Sequence, residues 1–159
     1  MSLEKLKTVL ELADISAQFA ARGKKLVFTN GCFDLLHPGH VRYLQQARAL
    51  GDALLVALNG DVSVRALKGP TRPVNGELDR AEVLAALGCV DYVTIFHTDR
   101  ITEIARTIRP QVYAKGGDYT IESLDSGERT ALQEVGAEIR ILPLVPGKST
   151  TSILEKWRS

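Results

Sequence analysis

A doubly wound α/β domain is the fold class this sequence predicts: a single five-stranded parallel sheet covered by helices on both faces. Three observations predict it. Five short runs rich in aliphatic and β-branched residues recur along the 159 residues, and such runs read as strands. The runs lack the polar alternation of a half-solvated sheet, as strands buried on both faces do. Helical stretches lie between them, and strand–helix repeats need right-handed crossovers between parallel strands.

The elements follow in order. Leu3, Leu6, Val9, Leu10, Leu12 and Ala13 fall at helical spacings, which predicts an amphipathic opening helix ending near Gly23. Residues 1–23 are therefore expected to form an N-terminal packing helix, and residues 24–159 the main domain. Strands are expected at 25–29 (KLVFT), 53–58 (ALLVAL), 92–96 (YVTIF), 112–114 (VYA) and 138–142 (EIRIL). Helices are expected at 38–50, 77–87, 100–108 and 128–135, with a last one at 149–157. Residues 68–76 (KGPTRPVNG) hold too many turn formers to be regular. Ligands of such sheets bind beyond the carboxyl ends of the strands, where strand order reverses. The loops that matter therefore start near Asn30, Asn59, Phe96, Lys115 and Pro143.

Composition narrows the function classes. The chain is 45% hydrophobic and 25% charged, enough for one real core. Lys plus Arg is 20 against 19 for Asp plus Glu, so the basic excess of a non-specific nucleic-acid binder is missing. Any phosphate site must be local. The longest apolar run, residues 53–58, is far short of the roughly 20 residues that cross a bilayer. Charges at Glu4, Lys5, Lys7, Glu11 and Asp14 interrupt the apolar region that a secretory signal needs. A cytoplasmic protein with no membrane and no nucleic-acid partner is expected. Cys32 and Cys89 have no CxxC spacing and sit among apolar residues, which predicts two buried, reduced thiols.

The sharpest feature is residues 29–40, TNGCFDLLHPGH, where the first strand gives way to a helix. His37 and His40 lie three apart and share a face of the first turn, and Pro38 suits a first helical position. Three readings compete: a zinc site completed by His97 or Asp34, imidazoles that only cap and pack, and donors that hold a phosphoryl group at a helix N-terminus. A dinucleotide fingerprint is absent, since no GxGxxG follows the first strand. Gly147-Lys148-Ser149-Thr150 imitates a P-loop tail, but Leu142 stands where its first glycine belongs. There Ser149, Thr150 and Thr151 either offer hydroxyls and free N–H groups to phosphate or form a plain helix cap. Lys115-Gly116-Gly117-Asp118 either lets a nucleotide approach the backbone, with Asp118 accepting from a hydroxyl, or forms a simple turn. Lys68, Arg72 and Arg80 are each as readily solvated as functional.

GCFDLLHPGH resembles the signature of the HxGH nucleotidyltransferases. Together with LKGPTRPVN, VDYV, KGGDY and STTSI, in that order, it is similar to the branch that adenylylates heptose 1-phosphate. The resemblance implies a Rossmann-like fold and transfer of AMP from ATP to D-glycero-D-manno-heptose 1-phosphate. ADP-heptose and pyrophosphate would be the products, feeding lipopolysaccharide core or surface heptose. It implies a catalytic set of His37, His40 and Lys68. Nucleotide contacts are expected from Asn30, Gly31, Phe33, His37, His40, Lys115, Gly117, Asp118, Ser149, Thr150 and Thr151. Acceptor contacts are expected from Asp34, Asn59, Lys68, Arg72 and Arg80. Mg²⁺ is expected on the pyrophosphate. No sugar kinase domain fits the length, so the separate form of the enzyme is expected, as a homodimer; Tyr43, Leu44 and the helix before Cys89 either supply its apolar contact or serve equally well in the core. Two departures stand out: residues 144–148 carry Lys148 where cytidylyltransferases have an arginine, and Cys32 takes the place of a small or β-branched residue. A cytidylyltransferase acting on a polyol phosphate such as glycerol 3-phosphate is the alternative within the family. A nucleotide-binding regulatory module is the alternative outside it.

Overall fold

In the first strand, β1 (Leu26–Gly31), Leu26 and Phe28 face one side of the sheet and Val27 the other, and all three are completely buried. A strand that is apolar on both faces needs cover on both, and helices supply it. The computed structural model describes residues 2–143 and 150–158. Its remaining strands are β2 (Ala53–Asn59), β3 (Tyr92–Phe96), β4 (Val112–Gly116) and β5 (Glu138–Leu142), all parallel, in the order β3-β2-β1-β4-β5. The order reverses at β1, which pairs with β2 on one side and β4 on the other. A crevice at the carboxyl ends of β1 and β4 follows from that reversal.

Helices α1 (Val9–Ala21), α2 (Pro38–Arg48), α3 (Asp61–Lys68), α4 (Glu77–Ala85), α5 (Thr102–Ile108), α6 (Ser126–Glu134) and α7 (Thr150–Arg158) complete the chain. Leu44 and Ala47 of α2 and Leu84 of α4 join Val27, Leu54 and Val56 in one core layer. Leu12 of α1, Ala105 and Ile108 of α5, and Leu132 of α6 join Leu26, Phe28 and Leu55 in the other. Each fully buried leucine in these layers contributes about 1.5–3 kcal/mol.

The predicted single opening helix is broken. A 3-10 turn spans Ser2–Lys5, Leu6 forms an isolated parallel bridge to Val93, and α1 starts only at Val9. Thr8 caps α1 by accepting from Glu11 N at 3.2 Å, while Lys5 donates to the carbonyls of Leu87 and Val90. Leu6 packs on the α4 layer and Leu12 on the α1 layer, so this segment wraps the β3 edge of the sheet. β1 and β4 each run two residues past their predicted ends, which carries Asn30 and Lys115 into the crevice. The sequence reading contained no α3, because its eight residues, DVSVRALK, interleave polar and apolar positions too briefly to stand out. β5 departs from the rule of apolar strands: Glu138 and Arg140 alternate outward as exposed residues, as expected of an edge.

Candidate active site

The chain leaves β1 through a tight passage. Phe33 sits at φ 45° and its ring lies so close to Gly31 that a Cβ there would fall 2.7 Å from Phe33 Cε2. Only glycine leaves room for that ring. His37 then caps α2. Its Nδ1 accepts from Gly39 N at 3.1 Å, and His37 N donates to His40 Nδ1 at 3.4 Å. An Nδ1 that accepts a backbone N–H leaves the ring proton on Nε2, so both imidazoles are fixed as Nε2–H donors. The rings stack with centroids 3.9 Å apart, and Phe33 lies 5.3 Å from His40. Burial, then the charges of His37 and Lys68, push the His40 pKa down to about 4. His40 is a neutral donor at physiological pH. The capping and phosphate readings of this pair are thus one arrangement: the cap fixes the tautomer that a phosphate needs.

The pair opens onto a cavity of about 630 Å³ above the strand ends. Asn30, Gly31, Phe33, Asp34, His37, His40, Asn59, Lys68, Arg72 and Lys115 all line it, as expected of ligand-contacting residues. Among the expected contacts whose side chains are described, three are not in its wall: Arg80, Gly117 and Asp118. Arg80 is 2% exposed. Its Nε donates to Asn75 O, its Nη1 to Cys32 O and Asn59 O, and its Nη2 to Asp61 Oδ1. That guanidinium is spent on tying loops together and is not aimed at phosphate. Gly117, at φ +125°, turns the chain so that Tyr119 lines the cavity, with Lys115 Nζ 4.8 Å from its ring centroid. Asp118 is left exposed to solvent.

Asp34 reaches the wall but is likewise engaged. Its carboxylate accepts from Arg72 Nε at 2.7 Å and from the backbone N–H groups of Val74 and Asn75. Burial alone would raise its pKa, but those donors together hold it below the usual carboxylate value. Asp34 therefore anchors the 72–75 loop, and through it Arg72, with its carboxylate engaged by those donors. Asn59 holds Ser63 Oγ at 2.9 Å at the start of α3, and Lys68 ends that helix. The zinc reading does not assemble: His97 stands outside the wall beside Glu77, and no group of three ligating side chains occurs among the described residues. Ser149 lies outside the described residues. Thr150 and Thr151 open α7.

The sequence reading missed several wall residues. Tyr43 bonds Thr29 Oγ1 at 2.7 Å and Ala114 O at 3.0 Å, bridging β1 to β4. Its place one turn after His40 could have revealed it. Leu44 is completely buried, so it is not offered to a second copy, while Tyr43 is half-buried. Asp99 and Arg100 line the cavity because α5 begins at Thr102, two residues later than predicted. Glu128 enters from the first turn of α6, a position with no local signature. Cys32 also lines the cavity, and both it and Cys89 are free and half-buried, not fully enclosed as expected. Burial raises both thiol pKa values.

Comparison with known proteins fits this geometry. A family model described as cytidylyltransferase-like matches residues 28–156. The bifunctional protein HldE of Geotalea uraniireducens (strain Rf4) is 52% identical over 155 residues, 98% of this chain and 31% of that protein. The HldE of Pelobacter propionicus (strain DSM 2379 / NBRC 103807 / OttBd1) is 51% identical over 152 residues, 96% of this chain and 31% of that protein. The chain thus spans about a third of the length of these curated relatives. Among solved structures, the lipopolysaccharide core biosynthesis protein from Thermoplasma volcanium GSS1 superposes with a TM-score of 0.64 at 26% identity. That match covers 77% of this chain and 98% of the other. The fold alone is shared with pantoate-beta-alanine ligase from Francisella tularensis, at TM-score 0.59 and 11% identity over 95% of this chain and 72% of the other.

Proposed function

The chain belongs to the cytidylyltransferase-like family, and from that premise we propose that it transfers AMP from ATP to the anomeric phosphate of D-glycero-D-manno-heptose 1-phosphate, releasing pyrophosphate. The observation that carries the reading is the imidazole pair at the head of α2, held as Nε2–H donors at the reversal point of the sheet. The HldE relatives and the lipopolysaccharide core neighbour support the heptose branch.

The chemistry needs no strong base. A sugar phosphate has a second pKa of about 6, so the attacking oxygen is already ionised at neutral pH. The barrier is the approach of one polyanion to another. His37 and His40 would donate to the α-phosphate and the bridging oxygen as charge builds there, aided by the positive end of α2. A neutral His40 does so without giving up a proton. Lys68, and Arg72 where Asp34 holds it, would neutralise the incoming phosphate. Lys115 and Tyr119 would border the base, and Gly31 and Phe33 the ribose and phosphates.

Among the described residues no three ligating side chains gather to cage a metal. Mg²⁺ would come on the ATP phosphates and offset pyrophosphate charge. A cytoplasmic location is part of the same proposal; among the described residues no helix is long and apolar enough to cross a membrane. A homodimer is part of the same proposal, and light scattering tests it.

The deciding experiment crosses ATP and CTP against heptose 1-phosphate and glycerol 3-phosphate, with pyrophosphate release as the readout. Signal from ATP with heptose 1-phosphate alone is the expected result. Signal from CTP alone moves the chain to the cytidylyltransferase branch, and ATP binding without any release points to a regulatory module.

A further inference from the structure

The cavity has two chemically distinct walls. Imidazoles and cations gather on one, where Lys68 lies near enough to lower the His40 pKa. The opposite wall, on the α5–α6 side, carries two carboxylates, Asp99 and Glu128, with Arg100 between the helices. Carboxylates repel phosphate oxygens, so this wall suits an uncharged, hydrogen-bond-donating part of a ligand, such as sugar hydroxyls. Resting on the sugar-phosphate reading above, we infer that Glu128 and Asn30 form the subsite that reads the hydroxyls of the acceptor sugar, as a paired hydrogen-bond acceptor and donor.

Glu128 is held firmly. Its N–H donates to Asp125 Oδ1 at 3.0 Å in the first turn of α6, and Arg100 Nη1 donates to its Oε1 at 3.3 Å. The side chain is 14% exposed. Its other oxygen, Oε2, takes no hydrogen bond from the described residues, which leaves it able to accept from a ligand hydroxyl. Asn30 supplies the complement. The buried Tyr113 hydroxyl donates to Asn30 Oδ1 at 2.6 Å, which commits the amide oxygen and leaves its NH₂ as the group offered to a ligand. Burial raises the Tyr113 pKa far above the usual value, so that hydroxyl stays a donor. One carboxylate oxygen and one amide NH₂ on a shared wall match a vicinal diol, in which one hydroxyl donates and its neighbour accepts.

The ribose of the nucleotide also carries a diol, and sheet order argues against it. Asp99 and Arg100 follow β3, whereas Lys115, Gly116 and Tyr119 follow β4. In the order β3-β2-β1-β4 those ends are three strand spacings apart, about 14 Å at roughly 4.8 Å per spacing. Arg100 ties the Glu128 carboxylate to the side of the cavity that follows β3, and Asn30 stands between the two ends, on β1.

The test is steady-state pyrophosphate release by the full chain and its Glu128→Gln and Arg100→Ala variants, with ATP, heptose 1-phosphate and a set of its monodeoxy analogues. Glu128→Gln should raise the KM for the sugar phosphate about tenfold and leave the KM for ATP within twofold. It should also erase the penalty that the wild-type protein shows for one monodeoxy analogue. Arg100→Ala should raise the sugar KM about threefold. Thermal unfolding of both variants within a few degrees of wild type confirms that folding is intact. A rise in the KM for ATP instead, or a deoxy penalty unchanged by Glu128→Gln, overturns the inference while leaving the adenylyltransferase reading in place. A wild-type protein that turns over no sugar phosphate overturns both.

Discussion

The two ends of the sheet use polar side chains in opposite ways. At the amino ends of the strands they cap the sheet itself: Asp52 accepts from Lys25 N, Gln111 from Leu26 N and Asp91 from Leu54 N, each at 2.7–2.8 Å. Buried Ser16 of α1 donates to Arg109 O at the same end. At the carboxyl ends, Asp34 and Arg80 fasten loops, and the imidazoles, Lys68, Asn30 and Glu128 are left facing a cavity. The first arrangement closes a surface and the second holds one open. Parallel strands make the difference possible, because every crossover loop that carries chemistry emerges at one end.

Four experiments break or sharpen that contrast. The largest effect is expected from Arg80→Met, which leaves the Cys32, Asn59 and Asn75 carbonyls without their shared donor. Each buried acceptor left unsatisfied costs about 1–3 kcal/mol, so urea unfolding should show a loss of about 3 kcal/mol or more, with activity lost in parallel. Next comes His40→Asn, expected to lower kcat about 100-fold, or about 2.7 kcal/mol in barrier, with the urea midpoint at pH 7.5 barely moved. A drop under tenfold would remove His40 from the transition state. Asp91→Ala, at the closed end, should cost about 1–2 kcal/mol by stranding the buried Leu54 N–H, with kcat unchanged. A change in kcat there would contradict the division of labour.

The smallest effect is in pH dependence. A free histidine titrates near 6.5 and His40 in the folded chain near 4, so below pH 6.5 the unfolded chain binds a proton that the folded one refuses. This contribution to stability is present in full above pH 6.5 and fades as pH falls toward 4. Urea midpoints at pH 4.5 and 7.5 should therefore differ less in His40→Asn than in the wild-type protein.

Strand positions and the parallel sheet were legible because Leu54, Leu55 and Val56 are buried on both faces whatever surrounds them. His37 and His40 were legible because their partners are local: Pro38, Gly39 and the first turn of α2. The contacts of Arg80 were illegible for the opposite reason. Its four acceptors come from three separate stretches, at Cys32, at Asn59 and Asp61, and at Asn75, so no window of sequence distinguishes a buried strut from a phosphate ligand. Asp34 and Asp118 show the same limit, since a carboxylate near a site can be consumed by a loop or turned to solvent. Glu128 was invisible because only the packing of α6 beside α5 brings it to Arg100. The opening helix failed on periodicity itself, for Leu3 and Leu6 match the spacing of α1, yet Leu6 packs on the far side of the sheet and Leu3 stays exposed.

That wrapped segment also bears on how copies of the chain treat one another in solution. Open strand edges invite pairing with other chains and the aggregates that follow. Lys7 N donates to Val93 O at 2.9 Å, and the Leu6 bridge occupies the same stretch of β3. At the far edge, β5 turns Glu138 and Arg140 outward, 49% and 50% exposed at their side chains. One border of the sheet is guarded by a strap and the other by charge, so a chain beginning at Val9 would lose only the first guard and would stick to its copies along β3.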